Sequence, residues 1–221
     1  ETQLLDNNTM NLVVLFVLPL VAYLFFASGV HNFAKLPVLN EKIGDLESFE
    51  SLSNETVSFD DRITILGFLG KDIYNKQGNA FNLNQKIYKK NHGFKDFQFV
   101  MVLPFGSEKA AKDLLGELDN ITDVSGWKFL FGTPEHIKSL FNSLKTPHQL
   151  NTNLASNYVY IIDKNAGLRG RDGSIGKEKD KDMVYGYDAG SVADLSNVME
   201  DDVKVILAEY RLALKKYKAD R

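Results

Sequence analysis

The sequence predicts an α/β domain preceded by a single transmembrane helix. Two patterns lead to this prediction. Residues 11–30 form an apolar run without a charged side chain, and beyond residue 60 short apolar runs alternate with segments of helical periodicity. Buried strands that alternate with helices are typical of a largely parallel sheet covered on both faces.

The N-terminal apolar run has the length of a membrane span. As a helix it would rise about 30 Å, the thickness of the hydrocarbon core, and a membrane helix tolerates a proline such as Pro19. The alternative is a cleaved signal peptide, with the small residues 27–29 as its cleavage site. The run is longer than a usual signal h-region, and no basic segment precedes it. We therefore expect residues 1–30 to be an anchor that contacts a lipid bilayer through residues 11–30.

A short linker over residues 31–44 is expected next, because Pro37 discourages continuation of the helix. The remaining residues, 45–221, show no internal repeat or composition boundary, and we expect them to form one domain. Within residues 47–58 the pattern suggests a short hairpin around Asn54.

Four strands and four helices follow in order. The strands are continuous apolar runs closed by a glycine, a proline or a turn, namely 63–69, 97–103, 127–131 and 158–162. The helices are segments with apolar residues at i, i+3, i+4 and i+7, namely 78–91, 107–118, 133–144 and 200–217.

The predicted helices carry start signals. Ser107 and Thr133 are suited to cap their helices, and Pro134 stands where proline is tolerated, at the first helical position. Three acidic residues open the last helix and two lysines lie near its end, which suits the helix dipole. Between the last predicted strand and this helix, residues 170–182 read as a charged, glycine-bearing loop.

Composition excludes several classes of function. The chain has 26 basic and 29 acidic residues, a net charge of −3, which argues against a nucleic-acid partner. It has no cysteine, so disulfides, thiol redox chemistry and thiolate metal sites are excluded. No nucleophile triad, acid–base pair or phosphate loop is apparent, so we expect a protein that is not an enzyme and has no cofactor.

Three segments carry a resemblance to a known family: ITILGFLGKDIYNKQGNAFNL from residue 63, WKFLFGTPEHIKSLF from residue 127 and NYVYIIDKNAGLRG from residue 157. They resemble the Sco/SenC family, the membrane-anchored, thioredoxin-like copper chaperones of cytochrome oxidase assembly. The resemblance covers about residues 45–217 and includes the single N-terminal anchor. It implies an α/β, thioredoxin-like domain behind a transmembrane helix.

The resemblance also locates a ligand site that this chain lacks. Counted from Gly67 and Phe68, the two family cysteines fall on Lys71 and Asn75, and the family histidine falls on Ala155. None of these three residues replaces the soft thiolate and imidazole donors that copper(I) prefers. The sequence therefore identifies a degenerate member without its metal ligands.

The expected function is accordingly non-catalytic, through protein contacts in the assembly or support of a respiratory oxidase or another membrane complex. The candidate contact surface is the loop at the carboxyl end of the first buried strand, where open α/β folds bind ligands. It comprises these residues: Lys71, Asp72, Ile73, Tyr74, Asn75, Lys76 and Ala155.

The alternative is a metal-handling protein with histidine and carboxylate donors, drawn from His148 and the acidic residues of 170–188.

Membrane orientation is also inferred. Lys35 and Lys42 follow the anchor and favour a cytoplasmic domain by the positive-inside rule. The family resemblance implies the opposite, a single-pass inner-membrane protein with an extracytoplasmic domain, and this is the prediction.

Overall fold

The structure is a computed structural model that describes residues 7–28, 35–174 and 183–219. The chain divides into two compact units between Phe33 and Ala34. In the first unit, helix α1 (Asn7–Ser28) forms over the predicted apolar run and contains Pro19. Over the three described ranges, no helix is both long and apolar enough for a membrane span. The transmembrane helix therefore stays a prediction.

The second unit is built on one mixed sheet. Its described strands are β1 (Val38–Asn40), β2 (Glu50–Ser51), β3 (Ile63–Phe68), β4 (Phe97–Pro104), β5 (Trp127–Gly132), β6 (Tyr158–Ile162), β7 (Leu168–Arg169) and β8 (Tyr187–Asp188). Their order is β1-β7-β6-β3-β4-β5-β2, with β8 paired to β6. The four predicted strands are β3, β4, β5 and β6, at the centre of this order.

The expected parallel arrangement holds only in the middle of the sheet. Strands β3, β4 and β5 are parallel, whereas β6 runs antiparallel to β3, and β1, β2, β7 and β8 also pair antiparallel. No helix stands between residue 143 and β6. Instead the chain returns to the carboxyl end of β3, where Ala155 bridges Leu69. Strand β6 therefore starts where β3 ends.

The helices cover both faces of the sheet. They are α2 (Gln77–Leu83), α3 (Lys89–Asn91), α4 (Glu108–Asp119), α5 (Pro134–Ser143), α6 (Val192–Asp194) and α7 (Glu200–Ala219). Thr133 caps α5 as predicted, since its hydroxyl accepts a hydrogen bond from the His136 amide at 3.3 Å. Ser107 precedes α4 but makes no side-chain cap bond. The Glu108 carboxylate instead accepts from the Gly106 amide.

Two apolar cores lie on opposite faces of the sheet. One packs α2, α4 and α7 against the sheet, and its members include Ile65, Phe99, Leu114 and Ile206. The other packs α5 against the opposite face with Leu66, Phe68 and Tyr160. Alternate residues of β3 thus point to different cores, as the two-residue repeat of a strand requires.

The region before β3 differs from the expectation. The predicted linker contains β1, which pairs with β7, and the second unit starts at Ala34; linker residues 31–34 lie outside the described residues. The predicted hairpin around Asn54 is wrong, because β2 pairs with β5 instead. Asn54 does occupy a turn, with φ of 56°.

A buried ionic cluster holds the start of this unit, and we name it the Leu36 clamp. The Leu36 amide donates to Glu209 at 2.6 Å, and the Leu36 carbonyl accepts from Nε of Arg169 at 2.7 Å. The same guanidinium pairs with Glu209 at 2.7 Å and with Asp163 at 3.1 Å. The backbone amide and the backbone carbonyl of the buried residue Leu36 are thereby both hydrogen-bonded. The clamp joins the first residues of the unit to β7 and α7.

Candidate functional site

The loop after β3 begins with a glycine that no other residue could replace without strain. Gly70 has φ of +70°, and a Cβ added there would lie 2.3 Å from the carbonyl oxygen of Asn153. The left-handed conformation and the close backbone contact both require glycine. The chain can therefore turn sharply at the carboxyl edge of the sheet, and the Lys71 amide donates to the Asn153 carbonyl at 2.9 Å.

Lys71 and Ala155 lie close together, although they are far apart in the sequence. Ala155 bridges Leu69, two residues before Lys71, and the Ser156 amide donates to the Phe68 carbonyl at 2.9 Å. The other end of the loop also contacts this segment, since the Lys76 ammonium donates to the Asn157 side chain. The loop and residues 153–157 thus form one surface, which we call the edge surface.

The loop between these two contacts is ordered by its own side chains. The Asp72 carboxylate accepts hydrogen bonds from the Asn75 backbone and side-chain amides. Asn75 thus faces Asp72. Ile73 is buried in the core beside α2. These contacts hold the loop to itself and to the core.

Two side chains of the edge surface remain available to a partner. Tyr74 is 69% exposed. Lys71 is exposed, and its ammonium has no hydrogen-bond or ion-pair partner among the described residues. Tyrosine is one of the residue types enriched at protein interfaces.

The three positions where the resemblance places metal ligands have no donor suited to copper(I). Lys71 carries a positive charge, Asn75 offers a neutral amide already bonded to Asp72, and Ala155 has no donor and is buried. In the described part of the chain, no group of three histidine, aspartate or glutamate residues is arranged to hold a metal ion. The alternative donor set therefore gains no support there, and residues 175–182 of its loop lie outside the described residues.

His148 occupies a site that sequence reasoning did not find. Its ring stacks on Tyr158, with centroids 3.7 Å apart and planes within 7°, and its Nδ1 lies 3.1 Å from the Tyr160 hydroxyl. Burial lowers the pKa of His148, and burial raises the pKa of Tyr160 to about 12. A neutral imidazole can accept a hydrogen bond from the Tyr160 hydroxyl at Nδ1. The alternation of Tyr158 and Tyr160 places both on one face of β6, but nothing local brings His148 to them.

This environment predicts a pH dependence of stability. The folded-state pKa of His148 lies below its ordinary value of 6.5, so the unfolded chain binds the proton more tightly. We expect the free energy of unfolding to have its highest value above pH 6.5 and to decrease as the pH falls through and below 6.5. Urea midpoints of the full chain in a non-ionic detergent at pH 7.5 and pH 5 measure this change.

His148→Gln tests the assignment, because the variant cannot titrate in this range. The difference between the two midpoints should shrink in His148→Gln and stay unchanged in His92→Gln, since His92 is an exposed histidine. An equal difference in wild type and His148→Gln would show that another group is responsible.

Comparisons with known proteins support the fold. No protein-family model matches the chain, and no curated protein matches it. Solved structures do. BsSco, described as a member of the Sco family of cytochrome c oxidase assembly proteins, is 11% identical with a TM-score of 0.51, and the match covers 79% of this chain and 98% of that one.

Two further Sco structures match over similar lengths. Arabidopsis thaliana ScoI with copper bound is 18% identical with a TM-score of 0.46, and the match covers 73% of this chain and 98% of that one. Yeast Sco1 is 14% identical with a TM-score of 0.43, over 74% and 98% of the two chains. At these identities the likeness concerns the fold alone. The likeness to BsSco, with its TM-score of 0.51, confirms that the second unit is an α/β domain with a thioredoxin-like fold.

Proposed function

We propose that this chain is a non-catalytic, Sco-like protein that acts through protein contacts of its edge surface. The observation that carries the proposal is a contrast: the loop is held by hydrogen bonds, but the side chains that would bind a metal are absent. The loop 71–76 is held in place at both ends, yet the edge surface has Lys71, Asn75 and Ala155 where the resemblance places metal ligands. A shape kept without its ligands is suited to binding another protein.

The partner belongs to a membrane complex in this proposal. The matched structure of BsSco is described as that of a cytochrome c oxidase assembly protein. A role in assembly or support of a respiratory oxidase, or of another membrane complex, is the corresponding function here. It requires neither a thiol nor a metal, in keeping with a chain that has no cysteine.

Attachment to the inner membrane is part of the same proposal. It is supported by the uncharged run 11–30 and by the apolar side chains of α1, of which Leu15, Phe16 and Leu18 are exposed. A helix that is apolar on all sides needs an apolar environment to cover it. The domain would then face the extracytoplasmic side as a single-pass protein.

The double variant Lys71→Glu/Tyr74→Ala tests the edge surface. Removal of an exposed aromatic anchor and reversal of a neighbouring charge should reduce recovery of the partner about tenfold or more, since a central interface residue typically contributes 2 kcal/mol or more. The measurement is quantitative mass spectrometry after affinity purification of the tagged full chain from its native membrane in a mild detergent.

The matched control is Lys112→Glu/Leu212→Ala, which reverses one lysine charge and truncates one exposed apolar side chain, on α4 and α7. The control should recover the partner at the wild-type level, and both variants should keep the wild-type melting temperature within about 2 °C. Recovery of the wild-type chain alone, at every detergent concentration, would contradict the proposed function. Equal losses in both double variants would exclude the edge surface as the contact.

A further inference from the structure

A second surface lies away from the edge surface. A cleft of about 800 Å³ is formed between the segment 42–60 and the sheet. No residue of 70–76 or 153–157 lines it. The volume is within the range of pockets that bind ligands. The cleft belongs wholly to the second unit, and we call it the acidic cleft.

The floor of the acidic cleft is apolar. Ile43, Leu46, Phe59 and Leu130 line it and are themselves anchored in the core. Phe49 and Val57 are only partly buried and pack against the same core. The first four side chains are at most 5% exposed, so the apolar surface open to the cleft is mainly that of Phe49 and Val57, and it can accept aliphatic groups from a bound molecule.

The rim of the acidic cleft is strongly negative. Five carboxylate residues and a single basic residue line it: Asp45, Glu47, Glu50, Glu55, Asp60 and Lys42. Glu55 is paired with Lys128 at 2.7 Å, whereas the carboxylates of Glu47 and Glu50 have no partner among the described residues.

The negative charge is a local property and not a reflection of the overall composition. Residues 41–61 contain seven acidic residues and one basic residue, although the whole chain has a net charge of only −3. The rest of the chain is therefore net positive. A local field of this kind attracts cations and repels anions such as nucleic acids and acidic peptides.

We propose that the acidic cleft docks a segment of a partner protein that is rich in lysine or arginine. The aliphatic stems of these side chains would lie on the apolar floor, and their charged ends would meet the free carboxylates of the rim. We choose this occupant by charge complementarity: a segment rich in lysine or arginine is opposite in charge to the rim. Like the cleft, such a segment also combines charged ends with apolar stems. The inference adds a second contact surface and does not depend on the function of the edge surface.

The test uses a fluorescent peptide of repeated lysine–leucine–glycine units. Its affinity for the full chain in a non-ionic detergent is measured by anisotropy, with detergent alone as the baseline. Glu47→Lys/Glu50→Lys reverses the two unpaired rim charges, and we expect it to weaken binding about tenfold or more. The matched control is Asp113→Lys/Asp119→Lys, which makes the same charge change on exposed positions of α4 and should weaken binding less than about twofold.

A second peptide, with 2,4-diaminobutyric acid in place of lysine, keeps the positive charges on stems two methylene groups shorter; it tests the floor and should bind more weakly than the first. Equal loss in both charge-reversed proteins would overturn the proposal, because the attraction would then come from net charge. Equal affinity of both peptides would also overturn it, since the floor would make no contribution. A wild-type chain that dimerises through this cleft, with dimerisation lost only in Glu47→Lys/Glu50→Lys, would assign the cleft to a second copy instead.

Discussion

Replacing Lys71 and Asn75 with cysteine and Ala155 with histidine, all in one chain, is expected to create a copper(I) site. The resemblance places the two cysteines and the histidine of the Sco family at these positions, and soft thiolate and imidazole donors are those that copper(I) prefers. The backbone already brings Lys71 and Ala155 to the same edge, where Leu69 bridges Ala155 and Lys71 bonds to Asn153. Competition with a chromophoric copper(I) chelator would measure the gain.

The single variants are the controls for this gain. We expect the triple variant to compete for one equivalent of copper(I) with a Kd tighter than about 1 μM, and each single variant to compete no better than wild type. The Asn75→Cys change also removes the hydrogen bond that the Asn75 side chain donates to Asp72 in the native loop. A folded triple variant that competes no better than Ala155→His would show that the three positions do not correspond to the family ligands.

Replacing Arg169 with methionine is expected to cost about 3–5 kcal/mol of unfolding free energy, the range for breaking a buried ion pair from one side. Only about 10% of the Arg169 side chain is exposed, and it pairs with both Asp163 and Glu209. Its loss leaves the buried Asp163 and half-buried Glu209 carboxylates without their cation and the Leu36 carbonyl without its donor. Urea denaturation of the full chain in a non-ionic detergent measures the change.

Arg211→Met is the matched control, because Arg211 is exposed and its guanidinium lies over the Phe94 ring, 5.1 Å from the ring centroid. Its cost should stay below about 1 kcal/mol. The double variant Arg169→Met/Glu209→Gln should recover part of the stability lost in Arg169→Met, since one uncompensated charge is removed. Equal costs for the two arginines would show that the Leu36 clamp does not stabilise the fold.

The central strands and main helices could be predicted because their signals are local. The runs at 63–69 and 97–103 became β3 and β4, and Thr133 with Pro134 marked the start of α5. Strands β1 and β2 were missed because they have two or three residues and form through pairing with β7 and β5. Pairing of distant segments leaves no periodic pattern in so short a strand.

The candidate site shows the same division between local and distant signals. Its position at the end of β3 followed from one apolar run and a glycine, and the resemblance added Ala155. The hydrogen bonds that shape the loop, such as Asp72 with Asn75, join side chains within reach of each other but follow no motif. His148 meets Tyr160 through tertiary folding. The acidic cleft was visible only as excess charge in residues 41–61, because its floor depends on Leu130 of β5.

The Leu36 clamp has a mechanical consequence. A pull on the chain from its N-terminal side reaches the second unit at Leu36, where Arg169 and Glu209 hold both the amide and the carbonyl. The force would pass into β7 and α7, and β7 lies two strands away from β3 in the sheet. The loop that follows β3 is outside this path. Traction on the N-terminal segment would therefore strain the clamp before it distorts the edge surface.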